Sequence, residues 1–173
     1  ENAGVVTIGA VNGGNRGNII PEQVEMLGTI RALNTSDEKM LIERVKQVVT
    51  KTAESNGATA EILIPYESHF PVTFNDVALT EKMLPSLRQT AGSENVLLTA
   101  ARTGAEDFSF YQQKVPGIYF VLGGMPKGIN PLTAPSHHTP DFFIDESGLK
   151  LGVKALANLT IDYMEMEKKA GKK

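Results

Sequence analysis

Four secondary-structure elements are predicted within the first 66 residues. The spacing of their apolar residues changes from one element to the next, and this change constrains the fold more than any other feature of the chain. Two stretches suit strands, the next has helical spacing and the last alternates again. Their order, β-β-α-β, predicts a small open-faced α+β sandwich. In chain order these stretches are VVTIGAV (5–11), VEMLGTIRAL (24–33), TSDEKMLIERVKQVVTKTAESNG (35–57) and ATAEILIPY (58–66).

The predicted helix has signals at both ends. Ser36 is the expected N-cap, and the acidic pair after it suits the positive end of the helix dipole. Asn56-Gly57 is the expected end, because a C-terminal cap often requires a left-handed backbone that glycine adopts readily.

Residues 76–169 alternate predicted helices with apolar strands. IYFVLGG (118–124) is almost wholly apolar, as buried parallel strands are. This alternation predicts half of a three-layer α/β domain, joined to the first part by a crossover at ESHFPVTFND (67–76). The other elements are strand 94–100 and helices 76–92, 106–113 and 145–169, the first of them bent or split at Pro85.

Composition excludes several functions. The net charge of −3 leaves no basic patch for nucleic acid, and no apolar run approaches the roughly 18 residues of a membrane span. Without cysteine, neither disulfides nor thiolate metal ligands can form within the chain. The chain starts without Met, a few residues before a strand, so we expect a fragment of a longer protein whose compartment stays unknown.

The stretch SHHTPDFFIDE (136–146) carries two of the three histidines. It lies between a buried strand and the last helix, where open α/β sheets place their sites, and an imidazole there could ligate zinc. Spacing alone favours the alternative, that both histidines are exposed loop residues. No second cluster of His, Asp and Glu at ligand spacing accompanies them, so further ligands would have to come from outside the chain.

Two other loops carry polar candidates. In RTGAEDFSFY (102–111), Gly104 permits a tight turn, Asp107 is expected to cap a short helix, and Glu106 could face a metal or a substrate. In GGNRGNIIP (13–21), the Asn18 carboxamide and neighbouring amides could bind a carboxylate or an oxyanion. Arg31 could bind a substrate carboxylate bidentately, although strand alternation alone favours its placement on the solvent face.

Together, TIGAVNGGNRGNIIP, GTIR, GAEDFSFY, VPGIYFVLGG and HHTPDFFIDE resemble, in order, the di-zinc amidohydrolase and carboxypeptidase family of hippurate hydrolases, aminoacylases and auxin-conjugate hydrolases. The resemblance spans about residues 5 to 165. It implies part of a lid or dimerisation domain (1–67) followed by the C-terminal part of the catalytic α/β domain (68–173).

The resemblance also implies roles for particular residues. His138 would be a metal ligand, and neighbouring His137 would not. Asn18 and Arg31 would hold the substrate's carboxylate or the tetrahedral intermediate, often across a dimer interface. Gly104 and Glu106 would line the cleft beside the metals.

The family's other metal ligands, its general-base glutamate and its lid histidine have no match here. For the parent protein, the resemblance implies two bound divalent ions, zinc ahead of manganese, cobalt or nickel. It also implies hydrolysis of N-acyl amino acids or small peptides by a homodimer. The fragment alone is expected to be inactive. The alternatives are a non-catalytic dimerisation module and a metal-free anion-binding protein.

Overall fold

The computed structural model describes residues 3–65 and 69–171, which form two strands and four α-helices. Two 3₁₀ turns, Ser93–Asn95 and Glu146–Gly148, accompany them. No helix in these ranges is both long enough and apolar enough to span a membrane. The elements are β1 (Gly4–Asn12), β2 (Glu25–Ala32), α1 (Thr35–Ser55), α2 (Val77–Ala91), α3 (Phe108–Gln112) and α4 (Leu149–Ala170).

The chain divides into two compact units. The first comprises Glu1–Phe74 and Ala100–Val115, and the second comprises Asn75–Thr99 and Pro116–Lys173. Residues 100–115 thus belong to the first unit, although the boundary expected from the sequence places them in the second domain. The units and the predicted domains do not coincide, and the division at residue 67 stays a prediction.

Strands β1 and β2 form an antiparallel hairpin, which confirms the first two predicted strands. Val5 pairs with Arg31 and Ile8 with Gly28. The register then shifts, because the next partner, Leu27, pairs with Ala10 rather than with Gly9. Such a bulge bends its strand and increases the local twist. The hairpin thereby fixes Arg31 near the end of β2 that leads into α1.

Helix α1 follows the prediction except at its cap. Asn34, not Ser36, is the N-cap: its Oδ1 accepts a hydrogen bond from the Asp37 backbone N–H at 2.8 Å. The predicted cap was wrong because Ser36 already lies in the first turn, from which its hydroxyl donates to the same Oδ1 at 2.6 Å. At the other end Gly57 adopts φ 71°, so the expected left-handed residue is confirmed.

Helices α2 and α4 pack against each other within the second unit and bury Met83 and Ala155. Three polar contacts, which we call the polar ladder, run along this interface. The Asn158 side chain donates to Thr90 Oγ1 at 2.8 Å, Ser86 donates to Asp162, and Lys82 pairs with Glu167. The sums of their residue numbers are nearly constant, as antiparallel packing requires.

Helix α2 is not split at Pro85, since it continues through this residue as a single helix, and the expected bend stays a prediction. A proline in this position removes one backbone hydrogen bond. Met83 and Ser86, on either side of Pro85, are both buried against the rest of the unit, and this packing offsets the loss.

Three predicted strands are wrong as far as the structure describes them: 58–65, 94–100 and 118–124 are not strands, and the only sheet in residues 3–65 and 69–171 is the hairpin. Tyr66, the last residue of the first of these, lies outside the described residues. Strand structure requires a second backbone as hydrogen-bonding partner. For 118–124 a side chain replaces it, because Asn75 donates to the Tyr119 carbonyl at 2.8 Å and accepts from its N–H at 2.7 Å. Val121, expected to be buried, is 65% exposed.

Candidate functional site

A small cleft in the first unit brings together two of the predicted site residues, Arg31 and Gly104. It lies where the end of β2, the first turn of α1 and two extended stretches meet. Its volume is about 20 Å³, enough for one water molecule or the end of a ligand, but not for a whole substrate. The lining residues are Ile30, Arg31, Ala32, Glu38, Phe70, Pro71, Val72, Thr103, Gly104 and Ala105.

Arg31 is half-buried in this cleft rather than displayed on an open sheet face. Its guanidinium makes no hydrogen bond or ion pair with any residue in the described ranges. A partly desolvated guanidinium has five donors, and its planar fork matches a carboxylate. The arrangement therefore suits an anion supplied by a ligand.

Glu38 lines the same cleft and was missed as a site residue by sequence reasoning. Its side chain is 15% exposed, and its Oε1 lies 2.8 Å from Nε2 of His69, whose side chain is 49% exposed. Acidic residues in the first turn of a helix normally interact favourably with the helix dipole, and this interaction alone was enough to explain Glu38 in the sequence.

The loop before α3 has a different organisation from the one predicted. Asp107 stands at the N-cap of α3, but its side chain makes no capping hydrogen bond, so the predicted capping is wrong. The fully buried Ser109 instead donates its hydroxyl to the Glu106 carbonyl at 2.6 Å and closes the turn. Glu106 is half-buried and follows directly on Ala105 in the cleft wall, without itself lining the cleft.

Asn18 lies in the exposed loop that joins β1 to β2, away from the cleft. Arg31 lies six residues into β2 from Glu25, and at about 3.4 Å per residue this separates the two ends of the hairpin by roughly 20 Å. Asn18 is not among the residues that line this cleft with Arg31.

His138, the predicted metal ligand, belongs to a structured loop of the second unit. It is exposed and has φ 64°, a left-handed conformation uncommon for a residue with a side chain. Two bonds fold the loop around it: Thr139 Oγ1 donates to the Ser136 carbonyl at 2.7 Å, and the Phe142 N–H donates to the Thr139 carbonyl at 3.1 Å. A strained residue held by its surroundings is frequently functional.

The other histidine of the pair is occupied locally. The ring centroid of His137 lies 4.6 Å from that of Phe142, whereas His138 has no comparable partner beyond His137 itself, at 6.4 Å, in the part of the chain that the structure describes. The two imidazoles thus differ in their surroundings, and the assignment of His138 as the metal ligand stays a prediction.

The described residues do not complete a metal site. Residues 3–65 and 69–171 contain no group of three His, Cys, Asp or Glu side chains placed to hold one ion. His138 is a single exposed donor, and a catalytic zinc site normally has three protein ligands.

The loop ends at Asp145, whose backbone N–H donates to the Gly124 carbonyl at 2.7 Å. Its carboxylate accepts from the Ser147 backbone N–H at 2.9 Å. Hydrogen bonds from the Ser147 backbone and side chain hold the pKa of Asp145 below its ordinary value. The Asp145 carboxylate therefore stabilises the start of the turn that leads into α4.

Residues 3–162 match the profile of peptidase family M20/M25/M40. The chain belongs to this family. The match covers most of the chain and confirms the resemblance inferred from the five ordered motifs, which lie in both units of the structure.

Curated relatives of this M20-family chain include enzymes of plants and archaea. It is 35% identical over 162 residues to IAA-amino acid hydrolase ILR1-like 4 of Arabidopsis thaliana, covering 92% of this chain and 36% of that protein. It is 36% identical over 165 residues to thermostable carboxypeptidase 2 of Saccharolobus solfataricus, covering 92% of this chain and 39% of that protein.

A solved structure supports the same fold. The YXEP protein of Bacillus subtilis, described as a dinuclear metal binding peptidase from the M20 family, superimposes with a TM-score of 0.69 at 27% identity. The superposition covers 94% of this M20-family chain and 42% of that protein. The chain thus spans about two fifths of the length of these relatives.

Proposed function

We propose that this chain is part of a metal-dependent amidohydrolase that cleaves the amide bond of N-acyl amino acids or small peptides. The observation that carries the proposal is the half-buried Arg31, which lies in a cleft with Gly104 and has no ion pair with any residue in 3–65 and 69–171. Relatives named as an amino acid conjugate hydrolase and as a carboxypeptidase support it, because the substrates in both names end in a free carboxylate. A guanidinium fork is suited to that group.

Asn18 is proposed to contact the substrate of a second copy of the protein. The roughly 20 Å length of β2 supports this division, because Asn18 belongs to the loop at the end of the hairpin opposite to Arg31 and does not line its cleft. Exposed apolar side chains on the hairpin, among them Val6 and Ile8 at 46% and 54% exposure, support a homodimer formed through this unit. Gly104 would form the wall beside Arg31, and Glu106, just outside this cleft, would line the substrate-binding cleft nearer the metals.

His138 is proposed to donate one imidazole to a metal centre whose other ligands lie in the remainder of the protein. Such a centre, holding two zinc ions or alternatively manganese, cobalt or nickel, supplies an activated water when bound. In the chain itself the left-handed backbone presents this imidazole to solvent, free of the ring contact that occupies His137. The 173-residue chain alone is expected not to hydrolyse amides.

The test uses the complete protein that contains this chain, assayed on N-acyl amino acids with and without a chelator. We expect about two divalent ions per chain, loss of activity on chelation, and a large loss of metal for His138→Ala. His137→Ala is the matched control, one residue away in the same loop, and should retain its metal. Full activity in a metal-free preparation would contradict the proposed function.

A non-catalytic dimerisation module is the second candidate, favoured by the two open edges of the hairpin and its apolar exposure. In that case the complete protein would associate through the first unit and bind no stoichiometric metal. The metal analysis above separates the two candidates.

A further inference from the structure

The cleft of the first unit contains both signs of charge. Arg31 and Glu38 line it together, yet their charged atoms are not within the 4.0 Å of an ion pair with each other. Their separation within one cleft leaves room for a ligand group to bridge them.

His69 contacts one oxygen of the Glu38 carboxylate and leaves the other open. A carboxylate only accepts hydrogen bonds, so the imidazole N–H donates to Glu38 Oε1 across the 2.8 Å contact. The second oxygen, Oε2, makes no hydrogen bond with any side chain or backbone group in residues 3–65 and 69–171 and is the one open to a cationic ligand. At 15% exposure the carboxylate is shielded from bulk water, which strengthens its attraction for a cation in the cleft.

We propose that the cleft selects dipolar ligands, with a carboxylate bound by Arg31 and a cationic nitrogen bound by Glu38. This rests on the proposed function and narrows its substrates. The cation could be the basic side chain of an N-acyl amino acid or the α-ammonium of the amino acid released by hydrolysis. The volume of about 20 Å³ holds one charged end, so the other charged end and the rest of the ligand lie at the mouth of the cleft.

Three ligands built on the same six-carbon amino acid chain separate the two sources of charge. Nα-acetyl-lysine carries a cationic side chain, norleucine carries an α-ammonium, and Nα-acetyl-norleucine carries neither. Their affinities for the full 173-residue chain can be measured by titration with two-dimensional NMR, which needs no metal and no turnover. We expect one of the two dipolar ligands to bind about fivefold more tightly than Nα-acetyl-norleucine, as for a favourable, partly exposed ion pair.

Substitutions at Glu38 then test whether this carboxylate is responsible. Glu38→Gln keeps the shape and should abolish the preference for the dipolar ligand over Nα-acetyl-norleucine. Glu38→Asp keeps the charge but withdraws it by one methylene, and should keep part of the preference. Glu43→Gln is the matched control, because Glu43 lies on the same helix, is 73% exposed and pairs with Lys46 instead. It should leave the preference unchanged.

A residue with a merely structural role would change all three affinities together, and that result overturns the proposal. Equal binding of the three ligands by the unmodified chain, or a preference that survives Glu38→Gln, also overturns it. In both cases the carboxylate role of Arg31 and the proposed hydrolysis would stand. If no ligand binds and Arg31→Gln changes nothing, the carboxylate role of Arg31 fails as well.

Discussion

A methyl group added at Gly28 is the most direct test of the hairpin that positions Arg31. A Cβ atom at this position would lie 2.3 Å from the Thr7 carbonyl oxygen and 3.0 Å from Cδ1 of Ile8. The isoleucine methyl can rotate away, but the carbonyl belongs to the paired strand and cannot. Relief requires the strands to separate next to the bulge. Comparable overpacking costs about 1–3 kcal/mol, so we expect Gly28→Ala to lower the stability of the first unit by that amount.

Gly17→Ala is the matched control. Gly17 lies in the loop of the same hairpin, where an added Cβ would meet no atom within 4 Å. Without strain, this change should leave stability unchanged or raise it by about 0.4–1 kcal/mol through the unfolded state. Urea denaturation followed by circular dichroism gives the free energies of unfolding. Amide hydrogen exchange shows where the loss occurs, and we expect faster exchange around Thr7 and Gly28.

The reasoning fails if Gly28→Ala and Gly17→Ala have equal stabilities. It also fails if Gly28→Ala is less stable but amide exchange is unchanged in β1 and β2, because the steric conflict would then not lie between the strands. A weaker hairpin should in addition weaken carboxylate binding by Arg31, three residues further along β2.

Two further predictions concern helix starts. Asn34→Ala removes the N-cap acceptor of α1 and should cost about 0.5–2 kcal/mol in urea denaturation, whereas Ser36→Ala, which leaves the bond to the Asp37 N–H intact, should cost less. The depressed pKa of Asp145 stabilises the fold fully above its unfolded value of about 3.9, and this contribution disappears as pH falls through the lower folded pKa. Asp145→Asn should therefore show a smaller loss of stability between neutral and strongly acidic pH than the unmodified chain, measured by denaturation across that range.

The sequence predicted the elements whose signals are local. Both strands of the hairpin, helix α1 and its left-handed end at Gly57 follow from spacing and from residues adjacent in the chain. The stretches 94–100 and 118–124 have the composition of strands but lack a paired backbone in the described residues. Composition shows that a segment can be a strand, whereas a partner elsewhere decides whether it is one.

The candidate site was predictable to the extent that motifs carry it. Arg31 and Gly104 were selected from separate motifs 73 positions apart, and the structure brings both to one cleft. Glu38 could not be selected in this way, because its position in the first turn of a helix already had a sufficient explanation. The contact with His69 spans 31 positions and leaves no periodic trace in the sequence.

The polar ladder fixes the register in which α2 and α4 pack against each other. Its three contacts differ in chemistry: hydroxyl with amide, hydroxyl with carboxylate, and ammonium with carboxylate. If one helix slid by a turn, these groups would no longer face their partners. In evolution and in engineering alike, a residue of one contact can be exchanged only together with its partner on the other helix. A chimera that borrows α4 from another protein would have to borrow α2 with it.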